Sequence, residues 1–287
     1  MRTLLFTMVF CTIMPVLTMA QYNMRPSAYF QDMLFYNPAS IPEMSAESQR
    51  LLVYSRTKII PDNEGIWEKS PTFYADYLGI NDENNSYFTV SLMNDNYSFF
   101  SRNSVYGGYG KNFNLGNNST LTLGGRLVLH TDLVNWSDYQ LPHNETGRSF
   151  RLSPDMDFGV QLRWKSLNFG TSVKNTLGIT QELDGAGFIQ TQRAFIVNTS
   201  YDFTVKDRFI VAPYVLLYSE LKTEIDLGLF LSFERKVNFS YLIRVNELRS
   251  TFTLEGRLYN SLSIGAAYDQ SPLLPSNNLD IFVRYFF

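Results

Sequence analysis

Two histidines, His130 and His143, are the residues in this 287-residue chain that could move protons or hold a metal. His143 stands near Asp138 and Glu145 in a polar stretch after Asp132, a grouping that could serve a metal ion or an acid–base pair of the kind found in membrane-barrel proteases. A metal or proton-transfer site needs more ligands than these sequence neighbours supply, so a solvated loop is the better account. His130 is read as a rim residue at the end of a strand. No Ser-His-Asp order, phosphate loop or zinc spacing rises above chance, and "YGGYG" (Tyr106 to Gly110) is no nucleotide motif. No cofactor or metal site is expected, and a net charge of −3 offers no footprint for nucleic acid.

A second set of charged residues holds more promise: Arg126, Arg163, Lys174, Glu224, Asp226, Arg244, Glu255, Arg257 and Arg284. Each alternates with apolar neighbours. Ile225, Leu227, Leu229, Leu231 and Phe233 oppose Glu224, Asp226, Gly228, Ser232 and Glu234, and Val237, Phe239, Tyr241, Ile243 and Val245 oppose Asn238, Ser240, Arg244 and Asn246. This period of two belongs to β-strands. Two roles are open to the charges: pairing across neighbouring strands, or gripping an inserted polypeptide.

The elements that must position them recur along the chain. Alternating segments are expected near 49–57, 70–79, 86–95, 97–111, 119–131, 155–164, 167–175, 188–203, 207–219, 222–234, 237–247, 250–259, 261–270 and 278–287. That is about fourteen strands, or twelve if one pair is miscounted. Turns after even-numbered strands are tight, as at Lys165-Ser166 and Asn260-Ser261, whereas long connections start at Lys58, Asp132, Thr176 and Ser271 after odd-numbered ones. Short turns at one rim and long loops at the other mark a transmembrane antiparallel β-barrel of outer-membrane type. Aromatics make up 15% and charged residues only 18% of the chain, the latter against about 25% in ordinary globular proteins, as a lipid-facing wall requires.

The chain opens with Arg2, an apolar run from Leu4 to Leu17 and Thr18-Met19-Ala20, the pattern of a signal peptide cut between Ala20 and Gln21. Cys11, the only cysteine, lies in that run, so neither a disulfide framework nor thiol catalysis is expected after cleavage. The domain plan is a signal peptide over 1–20, a periplasmic or lumenal segment over 21–48 and a barrel over 49–287. An even strand count puts both termini on the periplasmic side.

The segment "YFQDMLFYNPASIP" (Tyr29 to Pro42) resembles the PorP/SprF family of outer-membrane proteins from the type IX secretion and gliding machinery. Gln31, Phe35, Asn37, Pro38 and Ala39 occupy the family's motif positions, while Ser40 and Ile41 depart from the usual continuation. "SPDMDFGVQLRWKSLNFGTSVKN" (Ser153 to Asn175) and the closing hairpin to Phe287 are similar to other parts of the family. The resemblance implies a non-enzymatic scaffold in outer-membrane lipid. Its implied partners are periplasmic ring and lipoprotein components, and in some members a large secreted adhesin or its C-terminal domain. A general porin or small-solute channel is the alternative. The terminus "LDIFVRYFF", with Tyr285 and Phe287, resembles the signal read by barrel-assembly machinery.

Overall fold

The computed structural model describes residues 26–29, 32–41, 48–59, 72–97, 100–116, 118–135, 148–183, 187–206, 208–259, 261–270, 272 and 277–287. The expected cleavage pair Ala20 and Gln21, the motif residue Gln31, and His143 with Asp138 and Glu145 lie outside them.

Fourteen antiparallel strands form one closed barrel. They are β1 (Gln49–Ile59), β2 (Thr72–Asn81), β3 (Ser86–Tyr97), β4 (Phe100–Gly116), β5 (Ser119–Asn135), β6 (Arg148–Trp164), β7 (Leu167–Lys174), β8 (Ala194–Tyr201, resuming as Phe203–Val205), β9 (Phe209–Ser219), β10 (Thr223–Phe233), β11 (Val237–Arg244), β12 (Arg249–Tyr259), β13 (Leu262–Gln270) and β14 (Asn277–Phe286). Each pairs with its sequence neighbours, and β1 closes the ring against β14 from Arg50↔Phe286 to Ile59↔Asn277. Closure leaves no strand edge to be satisfied by lipid.

Side chains sort by the pleat. Leu127, on the outer face of β5, is 69% exposed, whereas its neighbour Arg126 is 5% exposed and points inward. Apolar outside and charged inside reverses the order of a soluble protein, and a lipid surround is its physical cause.

Four segments differ from the expected boundaries. Asp132–Asn135 and Arg148–Arg151, read as loop, extend β5 and β6. Their inward positions carry Asp132 and Ser149, polar because the lumen is polar, so polarity there does not mark a loop. Gly187–Gln190 pairs with Thr180–Leu183 in a separate hairpin, and the wall strand starts only at Ala194. Beyond Arg244, Val245–Glu247 form a 3-10 turn closed by Leu248 in the left-handed region.

The tight turns share one rim with Gln49 and Phe286, the two ends of the barrel wall. Several hold a non-glycine residue in the left-handed region: Asn85 (φ 50°), Asn118 (φ 63°), Lys165 (φ 53°), Lys206 (φ 52°), Glu234 (φ 49°) and Arg235 (φ 54°). Asparagine tolerates this backbone, whereas side chains such as lysine carry a penalty of about 1–2 kcal/mol.

Candidate functional site: a strap in the lumen

Residues 26–29 and 32–41 lie inside the barrel as a buried strap. It begins near the long-loop rim, where the Ser27 N–H donates to Asp280 Oδ2 (2.8 Å) and Tyr54 Oη (2.9 Å) and Arg56 pairs with Asp280 (2.9 Å). Tyr29 reaches the opposite wall and donates to Asp226. Asp32 caps the short 3-10 turn Met33–Phe35 through the Leu34 N–H (3.2 Å) and pairs with Arg50, which also holds Asp76.

Below this turn the wall grips the strap by its backbone. Arg126 places its guanidinium between two elements. Its Nε meets Asp157 (2.6 Å), and its two terminal nitrogens donate to the carbonyls of Leu34 (3.0 Å) and Phe35 (2.8 Å). Ser172 donates to Tyr36 O (2.8 Å), Tyr87 to Pro38 O and Arg163 to Ile41 O. The Lys174 ammonium lies 4.0 Å from the centre of the Phe35 ring. Phe35 packs edge-on against Tyr36 (5.2 Å) and Tyr74 (5.4 Å).

Asn37 and Pro38 occupy a seat with glycines in its floor. Asn37 Nδ2 donates to Val160 O (3.1 Å), while Asn37 Oδ1 accepts from the Ala39 N–H (2.9 Å) and turns the chain locally. Gly159 on β6 lies directly beneath, and a Cβ there would collide with Asn37 Oδ1. On β5, opposite it in register, a Cβ at Gly124 would stand 2.5 Å from Pro38 O. Gly170 on β7 makes similar room for Asn37 Nδ2 (2.8 Å).

The remaining charges fill the rest of the lumen by pairing. Glu224 and Asp226 meet Arg244 at 3.5 and 3.2 Å, and Glu255 accepts twice from Arg284 (2.6 and 2.7 Å). Arg257 lies over the Phe286 ring (5.1 Å). The nine inward residues named from sequence thus divide: Arg126, Arg163, Lys174 and Asp226 touch the strap, while Glu224, Arg244, Glu255, Arg257 and Arg284 meet wall groups. Between the strap and β1, β2 and β14 remains a void of about 20 Å³, room for one water.

His130 is not at a rim. Because β5 continues to Asn135, His130 falls within the strand and faces the lumen, with Ser104 Oγ at 2.7 Å from Nδ1 and Asn175 Oδ1 at 3.4 Å from Nε2. This Ser-His-Asn arrangement carries no carboxylate on the ring and all three residues are buried, so the geometry is that of a satisfied interior histidine. Among the described residues, no group of three or more His, Cys, Asp or Glu side chains could hold a metal. The role of Arg50, fully buried between Asp32 and Asp76, was not read from sequence. Its only signal was its place opposite Leu51 in the first alternating segment.

Fold and lumen together define a closed outer-membrane-type β-barrel occupied by its own N-terminal segment. Residues 18–279 match the family described as type IX secretion system membrane protein PorP/SprF, and the chain belongs to that family. Comparison with curated proteins gives no match. Among solved structures, the toluene transporter TbuX of Ralstonia pickettii is similar over 90% of this chain and 94% of its own at 10% identity (TM-score 0.57). The CymD monoaromatic hydrocarbon channel covers 90% and 93% at 9% identity (TM-score 0.58). A Pseudomonas aeruginosa FadL homologue covers 92% and 95% at 10% identity (TM-score 0.53). At these identities the likeness is one of fold.

Proposed function

We propose that this chain is a non-enzymatic outer-membrane component of the type IX secretion and gliding machinery. It acts as a closed scaffold, or in the export and surface anchoring of a secreted adhesin, with both ends of its barrel wall at the periplasmic rim. Family membership supports the machinery. The observation that carries scaffold over porin is the lumen itself, where the strap and the ion pairs occupy the space a solute would need. The channels among the structural neighbours share only the wall with this chain, and a shared wall does not say whether its lumen is open.

Two measurements test this reading. The purified barrel will give no conductance steps in a planar bilayer, and steady opening in the parent protein would favour the porin. An affinity pull-down from outer membranes will recover ring or lipoprotein components, or a large exported protein. Recovery of the barrel alone would remove the scaffold role.

The last residues bear on assembly. Tyr285 and Phe287 face outward, their rings 4.8 Å apart and edge-on, and the Phe287 N–H donates to Gln49 O (3.1 Å) across the seam. Deleting Phe287 removes one seam bond and one exposed ring, a small loss for a finished barrel. As an assembly signal it matters more, and the deletion will lower the amount of barrel in the outer membrane several-fold. Wild-type levels on a heat-modifiability gel would leave the residue a structural role only.

A further inference from the structure

The short-turn rim carries its charge unevenly. Among the described residues, from the β6–β7 turn to the β10–β11 turn it presents Lys165, Lys206, Arg208, Arg235 and Lys236, with Asp202 and Glu234 among them, and in the sequence Asp207 stands between Lys206 and Arg208. Glu234 offsets part of this, standing 3.9 Å from Arg208 and 3.4 Å from Lys236. On the other side of the barrel, the β2–β3 turn presents Asp82 and Glu83 instead. Backbone hydrogen bonds join neighbouring turns into a row, Asp202 N to Ser166 O (2.9 Å) and Glu234 N to Arg208 O (2.7 Å).

The backbone conformation of these turns is the second observation. Lys165, Lys206 and Arg235 hold left-handed positions, where turn stereochemistry favours glycine or asparagine. On the other side of the rim Asn85 and Asn118 hold the equivalent positions. One side of the rim therefore meets the stereochemical preference, and the other departs from it at four positions, three held by a cation and one by Glu234. A residue kept in an unfavourable backbone region points to a use for its side chain.

The third observation sets the depth of the row. Trp164, Tyr201, Phe203, Phe209 and Phe233 flank these turns on the outer face, all exposed, and the Lys165 ammonium lies 5.9 Å from the centre of the Trp164 ring. An aromatic belt marks the boundary between acyl chains and headgroups, which puts the cations of the row at the level of lipid phosphates.

We propose that this row is a binding site for anionic phospholipid headgroups, with Lys165, Lys206 and Arg235 as its phosphate-facing cations. It goes beyond the proposed scaffold function and does not depend on it. Several cations near a headgroup plane draw anionic lipid by charge, an attraction that salt weakens.

The test uses the full-length barrel in nanodiscs containing spin-labelled phosphatidylglycerol or phosphatidylcholine, with the fraction of each lipid immobilised at the protein measured. The parent will prefer phosphatidylglycerol by roughly fivefold to tenfold, less in high salt. The triple variant Lys165→Asn, Lys206→Asn, Arg235→Asn will lose most of that preference while unfolding no more easily, because asparagine suits the turns better. The charge-keeping variant Lys165→Arg, Lys206→Arg, Arg235→Lys will retain the preference, as will Arg148→Asn at the opposite rim. If the triple variant does not fold, Lys206→Asn alone must still lower the preference measurably. A parent without preference, or a folded triple variant with the parent's preference, overturns the proposal. Loss of an acidic protein from the pull-down with the lipid preference unchanged also overturns it, and reassigns the row to protein docking.

Discussion

A barrel carrying Gly159→Val will conduct ions in a planar bilayer where the parent does not. A Cβ at Gly159 collides with Asn37 Oδ1 and stands 3.0 Å from Pro38 Cδ and 3.1 Å from the Ala39 nitrogen, so wall and strap cannot both stay in place. The wall is the stiffer partner. Gly159 is paired in register with Gly124 in a ladder that runs the length of β6, and with Ser172 in one that runs from Phe158 to Trp164. The strap at this level has one short 3-10 turn and a few side-chain bonds. It will yield first, and Asn37 will lose Val160 and Gln161. Overpacking of this kind costs about 1–3 kcal/mol, and displacing Met33, Leu34, Phe35 and Tyr36 costs up to about 1.5–3 kcal/mol for each side chain that leaves its site. Deleting residues 26–41 removes the obstruction outright while leaving the strand ladder whole, and this variant will conduct more steadily than Gly159→Val. Conductance no greater than the parent's, in a deletion variant that runs as a folded barrel, would mean that the strap does not close the lumen.

The wall was legible in the sequence because lipid imposes a strict rule on every second residue. Leu227, Leu229 and Leu231 must face outward whatever their neighbours do, and a period of two survives uncertain boundaries. Where that rule relaxes, the reading failed. Asp132 and Ser149 look like loop residues until the polar lumen they face is known, and the setting of His130 depends on the β4–β5 register that puts Ser104 opposite it and on Asn175 from beyond β7. The seat of the strap was half legible. Asn37, Pro38 and Ala39 stood out as a motif and the stretch from Ser153 to Asn175, which holds Gly159 and Gly170, as similar to the family, but nothing in their spacing brings them together. Asn37 and Val160 meet across 123 positions, through a register set by the closed ring rather than by local pattern. The inward charges were identified by alternation, and alternation cannot say what stands opposite. Arg126 and Arg244 look alike in sequence, yet one holds the strap's backbone and the other pairs within the wall and its loops.

That difference makes Arg126→Met the most damaging single substitution expected in this barrel. The guanidinium satisfies three acceptors at once, Asp157 and the carbonyls of Leu34 and Phe35, and lies 4.8 Å from the centre of the Tyr106 ring. Methionine fills similar space but donates nothing. Asp157 keeps the Asn175 N–H (2.7 Å) yet becomes a buried carboxylate without its cation, and breaking such a pair costs about 3–5 kcal/mol. Each strap carbonyl left without a donor adds about 1–3 kcal/mol. Lysine will not rescue the site, because one ammonium cannot span a carboxylate and two carbonyls in the plane that the guanidinium fork provides. The double variant Arg126→Met, Asp157→Leu removes the stranded charge and will recover part of the loss, while the carbonyls of Leu34 and Phe35 stay unsatisfied. Urea unfolding of the folded barrel in micelles measures all three. The expected order of stability is parent, then double variant, then Arg126→Met, whereas Lys165→Met at the exposed rim will stay within about 0.5 kcal/mol of the parent. If Arg126→Met unfolds within about 1 kcal/mol of the parent, the strap is held by its apolar packing and the fork adds little. Full recovery in the double variant would assign the whole effect to Asp157 and none to the strap's backbone.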